Sequence, residues 1–180
     1  MCSSDLIDPD SIANIPAILD AAAKKFPKRT GYTNLGANLS YADAEKRSKE
    51  FAAYLQSLPE LKPGDRVAVM MPNLLQYVVA VFGILRAGMT VVNINPLYTA
   101  REVHHSLKDS GAKAIVIIEN FARTLEQAVP GTSCTRFILT GAGDRKSPPL
   151  NSSPTVLSYA LFCLQKHTPI LIHSTLALTP

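Results

Sequence analysis

A chain of 180 residues with 47% hydrophobic and 18% charged content is long enough for a domain with a real core and excludes a disordered chain. The formal charge of +4 does not mark a nucleic-acid binder. Through Asp144 the balance is 15 Lys/Arg against all 14 Asp/Glu, the excess sits in Arg145, Lys146 and Lys166, and the near-neutral body shows no basic run or aromatic-basic alternation of the kind that tracks a phosphate backbone.

Asn14 and Pro16 supply an N-cap and a first-turn proline for a helix to about Phe26, which Pro27 ends. Residues 31–34 and 37–39 form a short hairpin around Leu35-Gly36. Ser40 with Asp43 makes a capping box for a helix that shows Ala44, Ser48, Phe51 and Leu55 on one face and stops before Pro59. A turn at Lys62-Pro63-Gly64-Asp65 leads into a strand over 66–70. Pro72-Asn73 then opens an apolar helix (Leu75, Val78, Val79, Val81, Phe82, Leu85) that ends at Gly88, followed by a strand over 90–94. Thr99 and Glu102 form a second capping box for a helix ending at Gly111. Residues 114–118 read as a strand, Asn120 caps a helix over 121–129, and 136–140 is the last strand. Strands separated by helices predict an α/β fold: a parallel sheet with right-handed crossovers and helices on both faces.

After Asp144 the chain contains no Asp, Glu or Gly and is dense in Pro, Ser, Thr and Leu. The local rules that agree with one another up to that point stop agreeing there. The apolar stretch from Leu74 to Ile94 is broken by Gln76, Arg86 and two glycines, so it reads as a buried helix and strand rather than a membrane span. Cys2, Cys134 and Cys163 are scattered singly, as reduced thiols of a cytosolic protein would be. The sequons at Asn38 and Asn151 follow no secretory signal and carry no weight.

Two motifs have bland readings. Thr140-Gly141-Ala142-Gly143 hints at a dinucleotide loop, but Lys146 stands where the third glycine belongs, and an ordinary turn is expected. His104 and His105 are adjacent in a helix and diverge by about 100°, so they do not chelate one metal; no metal site is expected. Asn73 and Asn95 each follow a strand, at the edge where open α/β sheets bind ligands. The structural reading is that Asn73 caps the next helix and Asn95 satisfies loop backbone before Pro96.

The run Met70-Met71-Pro72-Asn73-Leu74-Leu75-Gln76-Tyr77, through Gly83-Ile84-Leu85-Arg86-Ala87-Gly88, to Asn95-Pro96-Leu97-Tyr98-Thr99 resembles the N-terminal part of bacterial-type long-chain fatty acyl-CoA synthetases of the adenylate-forming (AMP-binding) superfamily. The resemblance implies the first part of their large N-terminal α/β domain over residues 11–144. Residues 1–10 are a leader without counterpart, similar to one translated frame of a sequencing adapter, and 145–180 form a divergent or frameshifted tail.

By resemblance, the full-length enzyme uses ATP, Mg²⁺ and CoA: a carboxylate attacks the α-phosphate to give an acyl-adenylate, and the CoA thiol displaces AMP. The Ser/Thr/Gly-rich phosphate loop and the domain with the catalytic lysine are not among these residues, so no catalytic residue is assigned and the chain is expected to be inactive alone. Asn95, Tyr98 and Arg123 match positions on the CoA side of the active site in some relatives, with Arg123 a candidate for a CoA phosphate; the structural reading of Arg123 is a solvated helix arginine. The implied partners are fatty acid and CoA, in a cytoplasmic enzyme with peripheral membrane association. The corresponding family segment can contribute to subunit contacts, which would make a homodimer. Two alternatives stay open: a stand-alone α/β binding or dimerisation module, and an adenylate-forming ligase for another carboxylic acid.

Overall fold

The computed structural model describes residues 12–141. The expectations for residues 1–10 and 145–180 lie outside them. Helix α1 (Ile15–Lys25) starts as its sequence dictates, with Asn14 Oδ1 accepting the Ala17 N–H at 3.0 Å. The hairpin strands β1 (Thr30–Asn34) and β2 (Ala37–Ser40) pair antiparallel. Their turn holds Leu35 at φ 47° and Gly36 at φ 79°, a pair of left-handed residues suited to Asn-Gly rather than Leu-Gly. Leu35 is also 86% exposed, so its side chain repays none of the strain. Leu35→Asn is therefore expected to stabilise the domain by about 1 kcal/mol, read as a higher urea midpoint at unchanged slope. An unchanged or lower midpoint would contradict that account.

Helix α2 (Tyr41–Ser57) buries Ala44, Ser48, Phe51, Ala52 and Leu55. Its cap is half the expected box: Ser40 Oγ accepts the Asp43 N–H at 3.1 Å and donates to Asp43 Oδ2 at 2.6 Å, because the aspartate is too short to reach back as a glutamate does. The β3 strand (Arg66–Met70) leads to α3 (Leu75–Arg86), then β4 (Thr90–Asn93), α4 (Ala100–Ser110), β5 (Ala114–Ile118), a 3-10 turn (Glu119–Phe121), α5 (Ala122–Ala128) and β6 (Arg136–Thr140). Helix α3 stops at Gly88 with φ 77°, a backbone that other residues rarely adopt.

Two capping expectations fail. Leu74, not Asn73, is the N-cap of α3 and makes no side-chain cap bond. Asn120 lies inside the 3-10 turn, and Phe121 occupies the N-cap of α5. In both places the chain turns tightly after a strand before the helix begins, so the amide sits a residue too early to cap it.

The main sheet has the order β4-β3-β5-β6, with every pair parallel. Alternate residues of β3 and β5 feed two cores. Val67, Val69, Ala114 and Val116 pack with Leu19, Leu39, Phe51, Val79 and Ile84 from α1, the hairpin, α2 and α3. Ala68, Met70, Ile115 and Ile117 pack with Val103, Leu107, Leu125 and Ala128 from α4 and α5. All five β5 residues are buried, as a central strand covered on both faces requires.

Candidate functional site at the carboxyl edge of the sheet

From β3 the chain crosses to β4 on one side, and from β5 it crosses to β6 on the other. The crossover direction thus switches between β3 and β5, and in open parallel sheets the crevice at the carboxyl end of such a switch is where ligands bind. The loops that meet there are 71–74, 94–99 and 119–121, joined at the end of β6 by Gly141.

Side-chain hydrogen bonds knit these loops together. Asn34 Nδ2 donates to the Asn73 carbonyl at 2.7 Å and ties the hairpin to the β3 loop. Tyr77 OH donates to Asn93 Oδ1 at 3.1 Å. Gln76 Nε2 donates to the Gly141 carbonyl at 3.0 Å, joining the first turn of α3 to the exit of β6. Gln76 is only 4% exposed, so this polar residue, which in the sequence only interrupted an apolar run, is buried with a partner. A polar residue in the first turn of a largely apolar helix was the available signal.

A shallow concavity of about 390 Å³ lies beside this knot, lined by Tyr32, Asn34, Asn73, Leu74, Tyr77 and Val78. Burial pushes the Tyr32 hydroxyl above its ordinary pKa, with the Tyr41 hydroxyl adding to the shift. A larger open groove of about 760 Å³ runs between α1, α2 and the C-terminal end of α3. Helix α3 runs back from the carboxyl edge, so its end at Arg86 points that groove away from the switch, and its acid-base pair, Asp20 and Arg86, is already joined.

The three sequence-predicted site residues sit at this edge, Asn95 and Tyr98 on the loop after β4 and Arg123 in the first turn of α5. Asn95 Oδ1 accepts the Leu97 N–H at 3.0 Å and its carbonyl accepts the Tyr98 N–H at 3.1 Å, which is the loop-backbone role expected of an asparagine before proline. Tyr98 is 39% exposed, and the loop passes directly into the capping box of α4, where Glu102 Oε2 accepts the Thr99 N–H at 2.8 Å and the Thr99 hydroxyl at 2.7 Å. Those two bonds hold the Glu102 carboxyl below its ordinary pKa.

Arg123, in the first turn of α5, is exposed and has no ion-pair or hydrogen-bond partner among the described residues. No hydrogen bond joins it to Asn95 or Tyr98: β4 and β5 flank β3, about 10 Å apart at ordinary ladder spacing. His104 and His105 also part company. His104 Nδ1 meets the Ala128 carbonyl at 2.9 Å and joins α4 to α5, while His105 is exposed.

The opposite, amino edge is closed by its own charges. Asp65 pairs with Lys113 at 2.8 Å, Arg66 Nη1 donates to the Ser110 carbonyl at 2.9 Å, and Arg136 pairs with Glu60. Cys134, 3% exposed, is a free thiol pushed up to about 12 by burial, too protonated and too hidden to act as a nucleophile. At the carboxyl edge, by contrast, the Arg123 guanidinium stays open.

A family model described as AMP-binding enzyme matches residues 19–166. The chain belongs to the AMP-binding enzyme family. Within that family it is 48% identical over 91% of its length to a long-chain-fatty-acid–CoA ligase of Salmonella typhimurium, covering 28% of that protein. It is 52% identical over 78% of its length to a long-chain-fatty-acid–CoA ligase of Yersinia pestis, covering 25% of it. A solved structure of a Mycobacterium tuberculosis fatty acyl CoA synthetase superposes with a TM-score of 0.64 at 29% identity, over 70% of this chain and 26% of that one. This AMP-binding family chain thus spans about a quarter of the length of these relatives. It is homologous to long-chain fatty acid–CoA ligases over that segment, and its parallel α/β sheet is that of adenylate-forming ligase N-terminal domains.

Among the described residues no three His, Cys, Asp or Glu side chains converge. The carboxyl edge offers amides, a tyrosine and the exposed guanidinium groups of Arg101 and Arg123, a set suited to part of a phosphate- and amide-bearing ligand.

Proposed function

We propose that this chain forms the opening segment of the N-terminal domain of a long-chain fatty acid–CoA ligase, which activates a fatty acid through an acyl-adenylate and transfers it to CoA. The observation that carries the reading is the 48% identity to such a ligase sustained over 91% of the chain. The segment's part is architectural: it supplies the switch-point edge against which the nucleotide-binding residues of the complete ligase assemble, and ATP with its Mg²⁺ is held by residues outside 12–141. Arg123 offers its open guanidinium to a phosphate of CoA, with the Asn95–Tyr98 loop beside it. The similarity to long-chain-fatty-acid–CoA ligases supports a long-chain acid over an aromatic one.

A chimera tests this reading. Residues 12–141 replacing the matching segment of the Salmonella typhimurium ligase should give an enzyme that forms oleoyl-CoA from oleate, ATP and CoA. Arg123→Ala in that chimera should raise KM for CoA about tenfold or more, as loss of a charged hydrogen bond does, while leaving KM for ATP near its starting value. The 180-residue chain alone should catalyse no oleate- or palmitate-dependent pyrophosphate exchange above a protein-free control. A folded, inactive chimera, a chimera that activates benzoate in preference to oleate, or exchange by the chain alone would overturn the proposal.

A further inference from the structure

We infer that Gln76 is a positioning residue for the acid-activation step of the ligase proposed above, an inference that rests on that reading: Gln76 aims the chain as it leaves β6, and the nucleotide-holding residues of a complete ligase follow that exit. The register of β5 with β6 ends at Ile118 and Thr140, so the sheet ladder stops holding the chain there. Gly141 comes next. From the first turn of α3, 65 residues earlier, Gln76 Nε2 donates to the Gly141 carbonyl at 3.0 Å, and the bond takes hold where the ladder lets go.

Stability does not account for a glutamine at this place. Gln76 is 4% exposed, in a helix whose other buried residues are Leu75, Val79, Ala80, Gly83 and Ile84. Burying a carboxamide costs its hydration, which a hydrogen bond about restores, whereas an apolar side chain of the same length would fill the space without that cost. The acceptor has little need of it either, since Gly141 is half-buried, at the border where a carbonyl turns to water instead. What the bond supplies is direction, because a satisfied buried polar contact selects one arrangement where apolar packing tolerates several.

The neighbouring residue acts on the other exit. Tyr77 OH donates to Asn93 Oδ1 at 3.1 Å, at the last residue of β4 and just before the Asn95–Tyr98 loop. Adjacent positions on a helix point about 100° apart, so one turn of α3 reaches the exits of β4 and β6 in different directions. That turn thereby sets the spacing between the loop beside CoA and the segment that leads to the nucleotide residues. Displacing reacting groups by about 1 Å costs as much as about a hundredfold in rate, so a bond remote from the chemistry governs it through placement.

The test uses the chimera with the Salmonella typhimurium ligase and follows its two half-reactions separately. Gln76→Met keeps the length of the side chain and removes its donor. It should lower kcat for oleate-dependent pyrophosphate exchange about tenfold or more and leave KM for CoA near its starting value. Tyr77→Phe should do the reverse, raising KM for CoA about threefold to tenfold and lowering exchange far less. In the 180-residue chain Gln76→Met should unfold close to the parent's urea midpoint, which separates positioning from support of the fold. A midpoint well below the parent's, equal loss in both half-reactions, or exchange at the parent's rate would overturn the inference and leave the ligase reading in place. A chimera inactive before either substitution would overturn both.

Discussion

Replacing Gly83 with alanine is expected to destabilise the domain by about 2 kcal/mol, although the same change in an unpacked helix stabilises it by about 1 kcal/mol. The sign reverses because α3 lies against α2 at this residue. A Cβ on Gly83 would stand 2.6 Å from Phe51 Cδ1, 3.1 Å from Phe51 Cβ and 3.1 Å from the Ser48 carbonyl. The Phe51 ring is 3% exposed and has no free volume to move into, and the carbonyl belongs to the α2 backbone. Relief therefore requires the two helices to part. Urea unfolding of Gly83→Ala measures the shift, and Gly83→Leu should prevent folding. An alanine variant as stable as the parent would show that the two helices do not approach this closely.

Arg86→Met should cost about 1–3 kcal/mol, less than the 3–5 kcal/mol of a fully buried pair because Asp20 is 46% exposed while Arg86 is only 10% exposed. Arg86 reaches across three helices: its guanidinium pairs with Asp20 on α1, including an Nη1 to Oδ2 bond at 3.2 Å, and its Nε donates to Ser48 Oγ on α2 at 3.0 Å. The hydrogen bond from Arg86 is the main cause that holds the Asp20 carboxyl below its ordinary 3.8, with partial burial opposing it. A carboxyl whose folded pKa is depressed gives stability that is complete above the unfolded value and lost as pH falls through the folded one. Stability of the parent should thus decline below about pH 4, and the decline should be shallower in Arg86→Met. Asp65, lowered chiefly by its hydrogen bond with Lys113, keeps part of the slope in both proteins. An Arg86→Met variant with the parent's full acid sensitivity would assign the slope to Asp65 and other carboxyls.

The order of elements was legible because each strand of the main sheet is built on a short apolar run, and each long helix carries its own punctuation, as Asn14, Thr99 with Glu102, Gly88 and Gly111 do. The bonds those residues make are local, so spacing along the chain determines them. What was not legible depends on residues far apart in sequence. Nothing near Gln76 indicates that its partner is the carbonyl of Gly141, and nothing near Asn73 indicates that its carbonyl is taken by Asn34. The displaced caps at Leu74 and Phe121 have the same origin, since the strand exits set where those helices begin. At the candidate site the sequence placed Asn95, Tyr98 and Arg123 after strands, which is their place at the carboxyl edge. It could not give the lateral order of the strands, and so not the separation between them.

The strand order has a consequence for synthesis on the ribosome. Strand β3 pairs with β4 on one side and with β5 on the other, and β5 begins at Ala114, well after β3 ends at Met70. At about 5–20 residues per second, one edge of β3 stays without its partner for roughly 2–9 s after the strand is made, long enough for a chaperone to engage it. The apolar face made by Val67 and Val69 is available to α2 and α3 almost at once, whereas the face made by Ala68 and Met70 must wait for α4, β5 and α5. The nascent domain is therefore sticky on one defined side for a defined interval, and a pause in translation between codons 93 and 114 would lengthen that interval most.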